Sequence, residues 1–83
     1  MIKVYINKEG RNQIFKLDNS IELYSFISKH YKFLHRVDGP AIEITRTPPT
    51  SFTDIDIWWI DGKHFKTKEE WENYLLYYKM NLL

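Results

Sequence analysis

Leu34-His35-Arg36-Val37-Asp38-Gly39-Pro40-Ala41 and its echo, Trp58-Trp59-Ile60-Asp61-Gly62-Lys63, decide how this chain reads. Each sets an Asp-Gly pair beside β-prone residues, which predicts a strand turning sharply into another element. In the first, Pro40 has no N–H, so the closing hydrogen bond of a simple two-residue hairpin cannot form. Gly39, standing before that proline, is pushed away from the αR region. The turn is therefore rigid but not of type I′, and Ala41-Ile42-Glu43-Ile44-Thr45 continues from it as a strand. The second pair makes an ordinary hairpin into Lys63-His64-Phe65-Lys66. The strand before it, residues 55–60, sets Ile55, Ile57 and Trp59 on one pleat and Asp56, Trp58 and Ile60 on the other. That second pleat begins acidic and ends aromatic, which is unusual for a sheet with one solvated side.

Working outward, Ile2, Val4 and Ile6 alternate with Lys3, Tyr5 and Asn7, the period of a half-buried strand. Lys8-Glu9-Gly10-Arg11 turns the chain, and residues 13–17 return, with Phe15 and Leu17 on one face. Asn19 followed by Glu22 has the form of a capping box and predicts a helix over 20–32. Leu23, Tyr24, Ile27, Tyr31 and Leu34 recur along it at helical spacing, with Phe26 beside them and Lys29, His30 and Lys32 in the last turn. Thr67 to Glu70 forms a second capping box, opening a helix over 68–80 with Trp71, Tyr74, Leu75, Tyr78 and Leu82 on one face and Tyr77 to the side. Residues 46–54, with Pro48-Pro49, read as a loop in which Phe52 is either a lid on the core or an exposed anchor. The fold class is α+β, in the order ββαβββα: an antiparallel sheet of four to five strands with two helices packed on one face.

Eighty-three residues with 43% hydrophobic and 17% aromatic composition fit a single compact domain, 1–83, with a small, aromatic core. There is no cysteine, hence neither disulfides nor a thiolate metal site. No apolar run approaches the roughly 20 residues that span a bilayer, and no signal-peptide pattern opens the chain, so a soluble cytoplasmic protein is expected. Net charge is +1, unevenly spread: residues 1–36 carry seven Lys/Arg against three acids, and residues 37–83 carry five against eight. That pattern suits a basic face or two halves that attract each other.

The segment from Leu34 to Glu43, followed by Trp58 to Lys63, resembles a repeat found in many small bacteriophage and large-virus proteins, somewhat like MORN-variant repeats. Those proteins carry His-Arg-x-Asp-Gly-Pro-Ala and then a strand ending Trp-Tyr-x-x-Gly-Lys. The resemblance covers residues 34–75. Residues 69–75 close the unit as a helix, like the terminal form of such repeats, and the insertion around Pro48-Pro49 departs from their spacing. It implies a viral accessory protein acting in the cytoplasm of a bacterial host. It carries over no activity.

Candidate chemistry is thin. His35 and Arg36 are adjacent in an extended segment and point opposite ways, so they cannot line one pocket. A structural account suffices: Asp38 caps its turn and Arg36 pairs with a carboxylate such as Glu43 across the hairpin. His30, His35 and His64 fall in three separate elements without metal-ligand spacing. There is no phosphate loop, nucleophile elbow or paired-acid signature, so no catalysis, metal or cofactor is expected. The aromatic residues are the better lead. A first reading makes the chain a non-catalytic inhibitor of a host protein, with an anti-defence (anti-CRISPR-like) role resting on the viral resemblance. Its contacts would be Trp58, Ile60, Phe52, Tyr77, Tyr5 and Arg36. Two short helices on one face would leave a tryptophan-bearing pleat uncovered and awaiting a partner. An unpaired edge or apolar face is also open to burial in a homodimer. A second reading makes it a nucleotide or nucleic-acid binder, stacking bases on aromatics beside Lys3, Lys16, Lys29 and Lys32, with near-neutral net charge against it.

Overall fold

The computed structural model describes residues 1–45 and 55–81. Strands β1 (Ile2–Lys8) and β2 (Arg11–Leu17) form the first hairpin, followed by helix α1 (Ser20–His30) and a 3-10 turn at Tyr31–Phe33. Then come β3 (Ile42–Ile44), β4 (Ile55–Ile60), β5 (Lys63–Phe65) and helix α2 (Lys68–Asn81). The strands make one antiparallel sheet in the order β2-β1-β3-β4-β5. The fold is α+β and the element order is the expected ββαβββα.

Local chemistry accounts for the turns and the helix starts. Glu9 and Gly10 (φ 55° and 78°) close the first hairpin, and Asp61 and Gly62 (φ 48° and 77°) the last. Paired positive φ angles are what a two-residue turn with the strands' own twist requires. Asn19 Oδ1 accepts the Glu22 N–H at 2.9 Å, and Thr67 Oγ1 accepts the Glu70 N–H at 3.1 Å. In both boxes the glutamate reaches one residue beyond the cap: Glu22 accepts from the Asp18 N–H (2.8 Å) and Glu70 from the Lys66 N–H (3.2 Å).

The core has two parts. One joins Ile2, Val4, Ile6, Leu23, Leu34 and Ile42, with Phe26, Ile27, Ile57 and Trp59 packed against it. The other joins Ile60, Phe65 and Trp71, with Trp58, Tyr74, Leu75 and Tyr78 around it. Neighbouring strand residues point to opposite faces. The pleat of Ile57 and Trp59 therefore lies toward α1, and the pleat of Trp58 and Ile60 lies beneath α2. The two helices cover opposite faces, not the single face expected. β4 supplies the reason: both its pleats are apolar at the Trp58–Ile60 end, so each needs a cover. Within α1, Leu23, Phe26 and Ile27 face the sheet and Tyr24 is exposed, as is Tyr31 in the 3-10 turn that follows. Phe52 and Leu82 lie outside the described residues.

Candidate functional site

The turn motif is first a joint in the scaffold. Beyond the end of β3, residues 34–36 fill the gap between β1 and β4. Leu34 bridges Ile6, the His35 N–H donates to the Tyr5 carbonyl (3.1 Å), and the Arg36 N–H donates to the Trp59 carbonyl (3.3 Å). The Gly62 N–H donates to the Leu34 carbonyl (2.8 Å), so the two motifs are bonded to each other. A Cβ on Gly62 would stand 2.8 Å from the Lys32 carbonyl oxygen; this close approach and the positive φ both demand glycine. Buried His35 accepts the Asp61 N–H on Nδ1 at 3.0 Å. That nitrogen thus carries no proton to share with the Asp61 carboxylate 3.2 Å away, and the contact is not an ion pair. α2 is tied to the same joint, because the Trp71 Nε1–H donates to the Arg36 carbonyl at 3.2 Å.

Arg36 turns the joint into a feature of the surface. Its Nε donates to Asp38 (2.8 Å), and its Nη1 donates to the Pro40 carbonyl (3.1 Å) and to Glu43. Its guanidinium carbon lies 3.9 Å above the centre of the Tyr5 ring. Gly39 makes room for it: a Cβ there would sit 2.8 Å from the Arg36 Cζ. The expected Arg36–Glu43 pairing is present. Hydrogen bonding to Tyr5, helped by Arg36, holds the Glu43 carboxyl below its ordinary range, and Arg36 does the same for Asp38. Bonding to Glu43 and partial burial push the Tyr5 hydroxyl up. Burial works against the Arg36 charge, but Asp38 and Glu43 outweigh it and its pKa is raised. With one cation answered by two carboxylates, the cluster carries a net negative charge that disfavours a phosphate.

This cluster is one wall of a cavity of about 330 Å³ whose lining includes Tyr5, Asn12, Ile14, His35, Arg36, Val37 and Asp38, so His35 and Arg36 border one cavity, contrary to the expectation that they could not. Its floor is the sheet face beside α2, over β1 and β2. There Tyr5 and Ile14 are cross-strand neighbours and Ile14 keeps 58% of its surface exposed. Ile14 was missed in the sequence, although its alternation with Phe15 placed it on the pleat opposite the core. Leu76 and Met80, exposed beside Tyr77 on the outer side of α2, were missed as well.

The structure thus brings Tyr5 and Arg36 together and separates the other expected contacts. Ile60 is fully buried and Trp58 packs on Trp71 with ring centres 4.7 Å apart. Both pack in the core under α2, which covers the pleat they share, so Ile60 is not the surface contact expected and Trp58 is half-buried. Tyr77 is exposed, with its ring 6.1 Å from that of Tyr74. Of the four lysines, Lys3 and Lys16 are cross-strand neighbours and Lys16 shares a groove with Lys29, but carboxylates stand among them. Lys3 stands beside Glu43 in the sheet register, and Lys16 and Lys29 border a groove with Asp18 and Glu22. The Lys32 ammonium lies 6.0 Å from the centre of the Tyr31 ring. Among the described residues no three His, Asp or Glu side chains gather as metal ligands, and no helix is long and apolar enough to cross a membrane. No protein-family model, curated protein or solved structure matches the chain.

Proposed function

We propose that this chain is a non-catalytic binding module that docks on another protein through the open face over β1 and β2. The observation that carries the reading is the step in that face: an apolar floor of Tyr5 and exposed Ile14 against the wall of Arg36 and Asp38. A floor of this kind offers a desolvated anchor point, and a charged wall beside it selects orientation. Asp38 is 80% exposed at its side chain, so the complementary patch on the partner is apolar with a cation at its margin. The resemblance of residues 34–75 to viral repeat proteins supports a further step. The partner is then a bacterial host protein of a defence system, and the chain a viral accessory protein that inhibits it. The fixed Arg36 clamp supports binding without catalysis, since its charge is already consumed by Asp38 and Glu43.

The test is affinity capture from bacterial lysate with the wild-type chain and with Ile14→Asp and Asp38→Arg. The wild type is expected to retain a stoichiometric protein that both variants lose, Ile14→Asp at an unchanged melting temperature and Asp38→Arg at one lowered by the loss of its bond to Arg36. Capture unaffected by either substitution would remove the site from this face. Release of nucleotide from the purified chain, or retention on heparin that salt abolishes, would favour the nucleic-acid reading instead.

A further inference from the structure

The two ends of the sheet are built differently. The β5 edge is three residues long and is bracketed by Lys63 and Lys66, the charged, short edge that resists pairing. The β2 edge is seven residues long and almost wholly exposed. Its hydrogen-bond parity follows from the hairpin. A two-residue turn makes Lys8 and Arg11 the closing bonded pair, so Ile6–Gln13, Val4–Phe15 and Ile2–Leu17 exchange the bonds of the ladder. Tyr5 bears this out, because its N–H goes to Ala41 and its carbonyl receives the His35 N–H, both away from β2. Asn12, Ile14 and Lys16 therefore aim their N–H and C=O groups outward, and among the described residues β1 is the only strand beside them.

We propose that this edge is the seam of a homodimer, in which two copies pair their β2 strands antiparallel about a two-fold axis at Ile14. The sheet of each copy then runs into that of the other. Ile14 lies opposite Ile14 of the second copy, Asn12 opposite Lys16, Gln13 opposite Phe15 and Arg11 opposite Leu17. No like charges face each other, each cation meeting a neutral side chain. All three outward-facing residues find main-chain partners, giving up to about six new hydrogen bonds. Centring the pair on Lys16 would set two ammonium groups face to face, and centring it on Asn12 would leave half the strand unpaired. The chosen register also joins the two open floors into one row, Tyr5–Ile14–Ile14–Tyr5, lined at both ends by Arg36. This inference stands on the backbone edge and does not need the host partner.

The experiment is amide hydrogen exchange and sedimentation of the purified chain over a roughly hundredfold range of concentration. Exchange at Asn12, Ile14 and Lys16 is expected to slow as concentration rises, while Gln13 and Phe15, already bonded to β1, stay unchanged. Ile14→Lys and Ile14→Glu are each expected to remain monomeric with an unchanged circular-dichroism spectrum. An equal mixture of the two is expected to regain the dimer, because Lys and Glu then face each other across the axis. A chain that stays monomeric with freely exchanging edge amides overturns the proposal. So does a dimer indifferent to both substitutions, or slowed exchange confined to α2. Protection of the same amides only when a captured host protein is added would assign the edge to a foreign strand and likewise overturn it. Host capture that persists in a purely monomeric chain would leave the partner reading standing alone.

Discussion

Replacing Gly62 measures how tightly the two motifs are joined. In Gly62→Ala the new Cβ meets the Lys32 carbonyl oxygen at 2.8 Å, a backbone atom that cannot swing aside. The φ of 77° adds a left-handed penalty of about 1–2 kcal/mol for alanine. Relief of the clash must shift either the turn or residues 32–34, at the expense of the Gly62–Leu34 hydrogen bond, worth about 1 kcal/mol. The total is about 3 kcal/mol, against roughly 4–12 kcal/mol for a domain of this length. That corresponds to a melting temperature lower by roughly 12–24 °C. Gly10 supplies the control, since its φ of 78° is the same but nothing lies within 4 Å of its Cβ position. Gly10→Ala is expected to cost only the conformational penalty. Asparagine separates the two effects, because it tolerates positive φ yet still carries a Cβ. Gly10→Asn is expected to be nearly neutral and Gly62→Asn to remain costly, read as urea midpoints at constant m. Equal costs for the two asparagine variants would refute the close packing of Gly62 on Lys32.

Ile60→Ala, at a fully buried site under α2, is expected to lose about 2–5 kcal/mol, and Trp58→Ala is expected to lower stability with it. Unfolding curves unchanged by both would return that pleat to the surface. Asp38 and Glu43 have folded pKa values below their ordinary ones, so the unfolded chain binds protons more readily. Their stabilisation is fully present above the ordinary carboxylate range, roughly pH 4, and is lost as pH falls through the lower folded values. Glu43→Gln is expected to flatten the decline of the urea midpoint between pH 5 and 2.5, and an equally steep decline would show that Arg36 and Tyr5 do not hold that carboxylate. Loss of capture in Ile14→Asp and Asp38→Arg, and the dimer restored by mixing Ile14→Lys with Ile14→Glu, complete the expected outcomes.

Most local structure was legible because it depends on near neighbours. The Asp61-Gly62 turn, the bounds of β4, and the caps at Asn19 and Thr67 each follow from a few adjacent residues whose backbone preferences and hydrogen bonds are short in range. The pairing of Arg36 with Glu43 was readable for the same reason, lying seven residues apart across one turn. The open floor was half legible: Tyr5 and Arg36 were singled out, whereas Ile14 went unnoticed beside Phe15.

What the amino-acid order determined alone was the inventory of elements, their succession and the turns that separate them. Only the assembled molecule decided which helix covers which pleat. Both pleats of β4 are apolar at one end, so periodicity there cannot tell inside from outside. The choice belongs to α1 and α2, brought to opposite faces through Leu34, Gly62 and the Trp71–Arg36 hydrogen bond, contacts between residues 28 to 35 positions apart. That choice buried Ile60, half-buried Trp58 under α2 and left Ile14 to the solvent.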